Sequence, residues 1–313
     1  MRATLRRAGI IASTLAITVA PPALAESSSE TAGSGELVIN RDFPDPDILQ
    51  ANGTQYAFAT NSGGTNVQVA TAETTSGPWQ QQADALPRPP SWIGPDKRGL
   101  KNIWAPNVTP LPDGGYGLYF SGFNPRLGRE CLGAATSDQP GGPYTPTSQQ
   151  PLLCARGEVI DPYTFVDDDG SRYLLYKREV GDTATIRMRA IGDDGITPNG
   201  REVELLRADR PEENGVIEGP TLVHRPEGYV LFFSANGFKS GHYFVNYATS
   251  PNLAGPFAKA PGSLLSGSNP GDPGGQDVLE DQVVFHGDLG RPGGPRGMFE
   301  TALHWNGINP VLG

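Results

Sequence analysis

The sequence predicts an all-β fold: a five-bladed β-propeller whose blades each carry four antiparallel strands around a central funnel. Three observations predict it. A unit consisting of a residue plus proline, a short apolar run, a Gly-containing turn and an aromatic strand recurs at Asp45-Pro46, Ala105-Pro106, Asp161-Pro162 and Gly219-Pro220. Its prolines are 60, 56 and 58 residues apart (106−46, 162−106, 220−162). A second marker closes three units, as Ser76-Gly77-Pro78-Trp79, Gly142-Pro143-Tyr144 and Gly255-Pro256-Phe257. Strand alternation runs through stretches such as Thr185-Ile186-Arg187-Met188-Arg189-Ala190, and no amphipathic stretch is long enough to read as a helix. A two-sheet sandwich does not account for the repeat.

Residues 1–25 read as a secretory signal peptide. Arg2, Arg6 and Arg7 give a positive start, Gly9 to Val19 is apolar but short for a membrane span, and Ala23-Leu24-Ala25 supplies a cleavage pattern. The expected mature protein is secreted, cleaved near Ala25. Residues 26–36 are Ser/Thr/Gly-rich and expected to be a disordered leader, so residues 37–313 form one domain. The blades are expected at about 45–100, 101–157, 158–215, 216–270 and 271–313. The last is short, and Leu37-Val38-Ile39 is the strand expected to complete it from the other end of the chain.

The chain has 313 residues and a formal net charge of −10, a balance that argues against nucleic acid or an anionic membrane as partner and suits a neutral polysaccharide. A monomer is expected. Cys131 and Cys154 are the only cysteines, and in an exported chain they are expected to form one disulfide, since a spacing of 23 (154−131) matches no zinc pattern. Asn52-Gly53-Thr54 and Asn107-Val108-Thr109 are glycosylation sequons.

Three acids carry the chemistry. Asp45, Asp161 and Glu218 stand at the entry to the first, third and fourth units, where an inner strand would line the funnel, so the ring closure brings them together. Crowded carboxylates cannot all keep an ordinary pKa, and a protonated acid beside an ionised one is what glycoside hydrolysis needs. Asp47 and the run Asp167-Asp168-Asp169-Gly170 read as turn or strand-edge residues, and the Asp run lacks the closing Glu of an EF-hand loop. His224, His242, His286 and His304 show no metal-ligand spacing.

Phe43-Pro44-Asp45-Pro46-Asp47-Ile48, Trp104-Ala105-Pro106, Asp161-Pro162 with Phe165-Val166-Asp167-Asp168-Asp169-Gly170, Glu218-Gly219-Pro220-Thr221, Pro273-Gly274-Gly275-Gln276-Asp277 and Leu303-His304-Trp305-Asn306-Gly307 together resemble glycoside hydrolase family 43. The resemblance implies a five-bladed propeller that hydrolyses arabinan, arabinoxylan or xylo-oligosaccharide with inversion. It makes Asp45 the general base, Glu218 the general acid, and Asp161 the group that orients Glu218 and tunes its pKa. The chain departs from the family pattern at Asn107, where Glu is common, and at Gly275-Gln276, where a His is common, so no cofactor is expected and no structural calcium is assigned. Trp104, Phe43, Phe123, Asn124, Asn236, Phe238 and Arg296 are the expected sugar-binding residues. The first reading is an exo-acting arabinofuranosidase. Endo-1,5-α-L-arabinanase and β-xylosidase are the enzymatic alternatives, and a catalytically silent sugar-binding propeller is the non-enzymatic one.

Overall fold

The structure, a computed structural model, describes residues 35–267 and 269–313. The expected signal peptide and nearly all of the leader lie outside the described residues. Strand β1 (Glu36–Ile39) is followed by blade 1, made of β2 (Asp47–Ala51), β3 (Thr54–Ala59), β4 (Gln68–Ala72) and β5 (Gln80–Gln81). Blade 2 is β6 (Ile103–Pro110), β7 (Tyr116–Asn124), β8 (Arg129–Ser137) and β9 (Thr145–Pro146). Blade 3 is β10 (Glu158–Val166), β11 (Arg172–Val180), β12 (Thr183–Ile191) and β13 (Pro198–Arg207). Blade 4 is β14 (Ile217–Arg225), β15 (Gly228–Ala235), β16 (Phe244–Ser250) and β17 (Ala258–Lys259). Blade 5 contains β18 (Gly271–Val278), β19 (Gln282–Asp288), β20 (Arg296–Asn306) and β21 (Asn309–Leu312), and β1 pairs antiparallel with β20. The start of the chain thus closes the ring, as the Leu37-Val38-Ile39 stretch predicts.

Apolar side chains form five cores, and each lies between two neighbouring blades. Phe58 and Val69 meet Leu118 and Phe120 between blades 1 and 2; Tyr119 and Leu132 meet Leu174 and Tyr176 between 2 and 3. Leu175 and Ile186 meet Leu231 and Phe233 between blades 3 and 4, and Val245 meets Phe285 and Phe299 between 4 and 5. Ile48 and Ala57 meet Val284 and Met298 across the closure. Each sheet buries both faces against its neighbours, so the ring forms one cooperative body.

The recurring proline marks a bend in the inner strand. Pairing of the inner strand with its neighbour shifts register between Trp104 and Asn107, Ile160 and Tyr163, Glu218 and Thr221, and Gly274 and Asp277. At the bend the backbone takes a positive φ: 54° at Asp45, 43° at Ala105, 56° at Asp161, 57° at Gly219 and 54° at Gly275. All five blades therefore carry the same left-handed residue, a conformation that costs a non-glycine residue energy and concentrates where a side chain must be re-aimed. The proline register therefore holds, but the three acids do not share one position in it. Asp45 and Asp161 occupy the left-handed position itself, whereas Glu218 stands one residue earlier, with Gly219 at the bend.

Polar bonds link the inner strands in sequence. Asp277 accepts from the Ile48 N–H (2.8 Å), and Asp47 accepts from the Asn107 amide (2.6 Å) and the Val108 N–H (2.8 Å). Asn107 Oδ1 accepts from the N–H (2.9 Å) and hydroxyl (2.7 Å) of Thr164, Asp161 accepts from the Gly219 N–H (3.0 Å), and Thr221 donates to the Gln276 carbonyl (2.9 Å). Asp47 is accordingly not a strand-edge residue. It is buried, and burial followed by the charge of Asp277 pushes its pKa well above the ordinary range. The disulfide is present: Cys131 on β8 is joined to Cys154, with Cα atoms 4.8 Å apart.

Candidate active site

One end of the funnel opens into a cavity of about 320 Å³ lined by residues of all five blades, among them Asp45, Trp104, Asp161, Glu218, Tyr243 and Arg296. The volume is at the lower end of the range for small-ligand sites.

Asp45 sits in a cationic, hydrogen-bonded niche. Its Oδ2 accepts from the Thr60 hydroxyl (2.6 Å), and its Oδ1 lies 3.4 Å from Arg296 Nη1 and 3.2 Å from His286 Nδ1. Arg296 Nη1 is 3.3 Å from His286 Nε2. A guanidinium can only donate, and the Asp45 backbone N–H also donates toward His286 Nδ1 (3.1 Å), so each ring nitrogen meets a donor. Burial alone would raise the Asp45 pKa, but the Arg296 charge and the His286 and Thr60 bonds overcome it and hold the carboxyl well below the usual range. His286 is fully buried, and burial followed by the neighbouring Arg296 charge lowers its pKa.

Asp161 has the opposite surroundings. Burial, then the charge of Glu218, push its pKa up to about 8, against the opposing influences of Lys177 and the Gly219 N–H. Its backbone N–H donates to Ser121 Oγ (3.0 Å). Glu218 accepts on both oxygens, from the Tyr243 hydroxyl at Oε1 (2.7 Å) and from Lys177 Nζ at Oε2 (2.9 Å). Ser234 steadies the bend in blade 5, accepting from the Gly275 N–H (2.9 Å) and donating to Gln276 Oε1 (2.8 Å). One carboxyl is thus held strongly ionised, while Asp161 is pushed toward keeping its proton at neutral pH. A site so divided can supply a base and an acid at once.

The expected sugar-binding residues separate into two groups. Trp104, Phe238 and Arg296 line the cavity, and the Arg296 guanidinium lies 5.0 Å from the Phe238 ring centroid. Phe43 does not line it. Its side chain is fully buried in the core between blades 5 and 1, beneath Asp45, with the Arg41 guanidinium 5.4 Å from its ring centroid. Phe123 and Asn124 end β7, the second strand of its blade, and Asn124 Oδ1 is spent on the N–H groups of Arg126 (3.0 Å) and Leu127 (3.3 Å) in the following turn. Asn236 likewise shapes a turn, bonding the Glu212 carbonyl (3.0 Å) and the Gly237 N–H (2.7 Å).

Sequence reasoning passed over His286, Lys177, Tyr243 and Thr60. Lys177 alone left a trace, a charge directly after the apolar run Leu174-Leu175-Tyr176. Among the described residues one group has three candidate metal-ligating atoms within 4.8 Å of one another: Asp167, Asp168 and His224. It lies at the β10–β11 turn, at the other end of β10 from Asp161, and Asp168 is 88% exposed.

Comparison with known proteins identifies the family and the fold. The profile of glycosyl hydrolases family 43 matches residues 35–282. The extracellular endo-α-(1→5)-L-arabinanase 2 of Bacillus subtilis (strain 168) is 26% identical over 248 residues, covering 71% of this chain and 50% of that protein. The β-D-galactofuranosidase xynD of Aspergillus niger is 32% identical over 158 residues, 49% of this chain and 43% of that one. The chain spans about half the length of these curated relatives. Among solved structures, a thermostable family-43 glycoside hydrolase superposes with a TM-score of 0.76 at 21% identity, covering 87% of this chain and 92% of its own. A family-43 endo-arabinanase from Bacillus licheniformis gives 0.72 at 23% identity, with 88% and 99% covered. At these identities the superpositions speak for the propeller, and the profile match over most of the sequence speaks for the family: the chain belongs to glycosyl hydrolase family 43.

Proposed function

We propose that residues 37–313 form a single catalytic domain of a secreted, inverting glycoside hydrolase that cleaves α-L-arabinofuranosyl linkages of arabinan or arabinoxylan. The observation that carries the proposal is the division of one cavity between a cation-held Asp45 and, facing it, Glu218 beside an Asp161 that burial pushes toward its protonated form. In this reading Asp45 takes a proton from a water as that water attacks the anomeric carbon. Arg296, His286 and Thr60 keep it ionised and aimed. Glu218 gives a proton to the departing glycosidic oxygen, and Asp161 supplies the proton inventory of the pair and fixes the Gly219 backbone beside it. Trp104 and Phe238 offer apolar faces to sugar rings, and Arg296 offers donors to hydroxyls.

Release of terminal arabinose is the first reading. Internal cleavage of 1,5-linked arabinan is the second, favoured by relatives named endo-arabinanases. Relatives named extracellular, together with the Arg-led apolar start of the sequence, support secretion. Chromatography of early products from linear arabinan tests the reading. Arabinose alone supports terminal action, and a ladder of oligomers supports internal cleavage. No product from arabinan, arabinoxylan or aryl glycosides, with binding retained, would favour a silent sugar-binding propeller. Asp45→Asn is expected to abolish turnover while leaving substrate bound.

A further inference from the structure

Strand β11 brings a buried cation to the acid side of the cavity. Alternation along β11 puts Lys177 and Glu179 on one face, and Glu179 is directly opposite Glu158 of β10, a like-charge cross-strand pair that costs stability unless a cation intervenes. Lys177 Nζ lies 2.9 Å from Glu179 Oε2 and 2.9 Å from Glu218 Oε2, with its side chain only 6% exposed. Burial disfavours the ammonium, but the charges of Glu218 and Glu179 outweigh it and hold the Lys177 pKa above its ordinary value.

Glu158 and Asp161 come from β10, with Glu130 of β8 beyond Glu158. Glu179 shares β11, Glu218 comes from β14, and the Tyr243 hydroxyl holds the other Glu218 oxygen. Across the cavity stand Asp45, Arg296 and His286. Lys177 is therefore the cation among four nearby carboxyl groups: Glu158, Asp161, Glu179 and Glu218.

We propose that Lys177 is a positioning residue that clamps Glu218 against Tyr243 and holds a fixed positive charge beside Glu218 and Asp161. The proposal rests on the acid role given to Glu218 above. Its sign is definite. A positive charge lowers the pair's hold on its proton, so removing it strengthens that hold. Glu179 competes for Lys177, so removing Glu179 concentrates the charge on Glu218 and weakens the hold. A carboxyl freed from its clamp also transfers a proton poorly, which matters most for leaving groups that need one.

The test compares kcat/KM against pH for Lys177→Met, Lys177→Arg and Glu179→Gln, using an aryl arabinofuranoside and an unactivated arabino-oligosaccharide. Lys177→Met is expected to move the alkaline limb up by about one unit. It should also lose about tenfold or more on the oligosaccharide while staying within about threefold on the aryl substrate. Lys177→Arg should keep the wild-type limb, and Glu179→Gln should move it down. Unmoved limbs in Lys177→Met and Glu179→Gln, or equal losses on both substrates, would overturn the proposal. Should Lys177→Met not fold, the downward shift in Glu179→Gln decides alone. If the wild-type protein cleaves neither substrate, the functional reading fails separately. Carboxyl ¹³C NMR titration of wild type, Lys177→Met and Glu179→Gln without substrate then decides for Lys177. Higher titration of the pair in Lys177→Met or lower titration in Glu179→Gln supports the proposal, and no change overturns it.

Discussion

Gly275 offers a sharp test of how narrowly Asp45 is held. Its φ is 54°, and a β-carbon there would lie 2.5 Å from His286 Nδ1 and 2.9 Å from Asp45 Oδ1, where ordinary contact begins at 3.4 Å. Replacing it with Ala requires shifts of 0.9 Å (3.4−2.5) and 0.5 Å (3.4−2.9). His286 has little room to retreat: it is fully buried, with its ring stacked near Tyr243 at a centroid distance of 5.9 Å. Much of the displacement must therefore fall on Asp45. The left-handed backbone adds about 1–2 kcal/mol of destabilisation for any L residue. A shift of most of an ångström in a reacting group costs about 10²-fold in turnover. Gly53→Ala is the control, since Gly53 has φ 75° with nothing within 4 Å, so it carries the backbone cost without the clash. Kinetics on an aryl arabinofuranoside and thermal melts of both variants should show similar losses of stability but a large activity loss only in Gly275→Ala. Activity of Gly275→Ala within about threefold of wild type would refute the reasoning.

Three further outcomes are expected. Because Asp161 titrates at about 8 and Asp45 far below the ordinary range, kcat/KM should be level from about pH 5 to 7 and fall above about pH 8. An alkaline limb near pH 5 would contradict the assignment. The raised Asp161 pKa also makes stability depend on pH: its contribution is fully present below about pH 4, is lost as pH rises from there through about 8, and changes no further above. Asp161→Asn should therefore compare more favourably with wild type at pH 8.5 than at pH 5, by ~1–3 kcal/mol in denaturant melts, since Glu218 shares the strain of a shift whose ceiling is ~5–6 kcal/mol. Replacing Cys131 and Cys154 by Ser opens a link of 23 residues and should cost about 3 kcal/mol of stability with kcat/KM little changed.

The ring was legible because proline marks the same backbone event in four blades. A residue that must adopt a positive φ ahead of a rigid ring leaves a trace at constant spacing, and the aromatic strands behind it supply the five interblade cores. The acids were legible because two of those bends carry Asp. The offset of Glu218 is legible too, since Gly219 and not Glu218 precedes Pro220, but the register shift that follows it in the sheet is not. Phe43 illustrates the same limit: two residues before Asp45, its side chain faces the core rather than the cavity. His286 was beyond reach because it meets Asp45 only across the ring closure, and Tyr243 because its contact with Glu218 depends on how one blade folds back on itself. His286 is 241 residues from Asp45, and Tyr243 is 25 from Glu218.

Inversion requires Asp45 and Glu218 to act on opposite faces of one sugar. Proton NMR of the first product released from an arabinofuranoside, read before mutarotation, tests this most directly. Initial release of the anomer opposite to that of the substrate is the predicted result, and initial release of the retained anomer would contradict it.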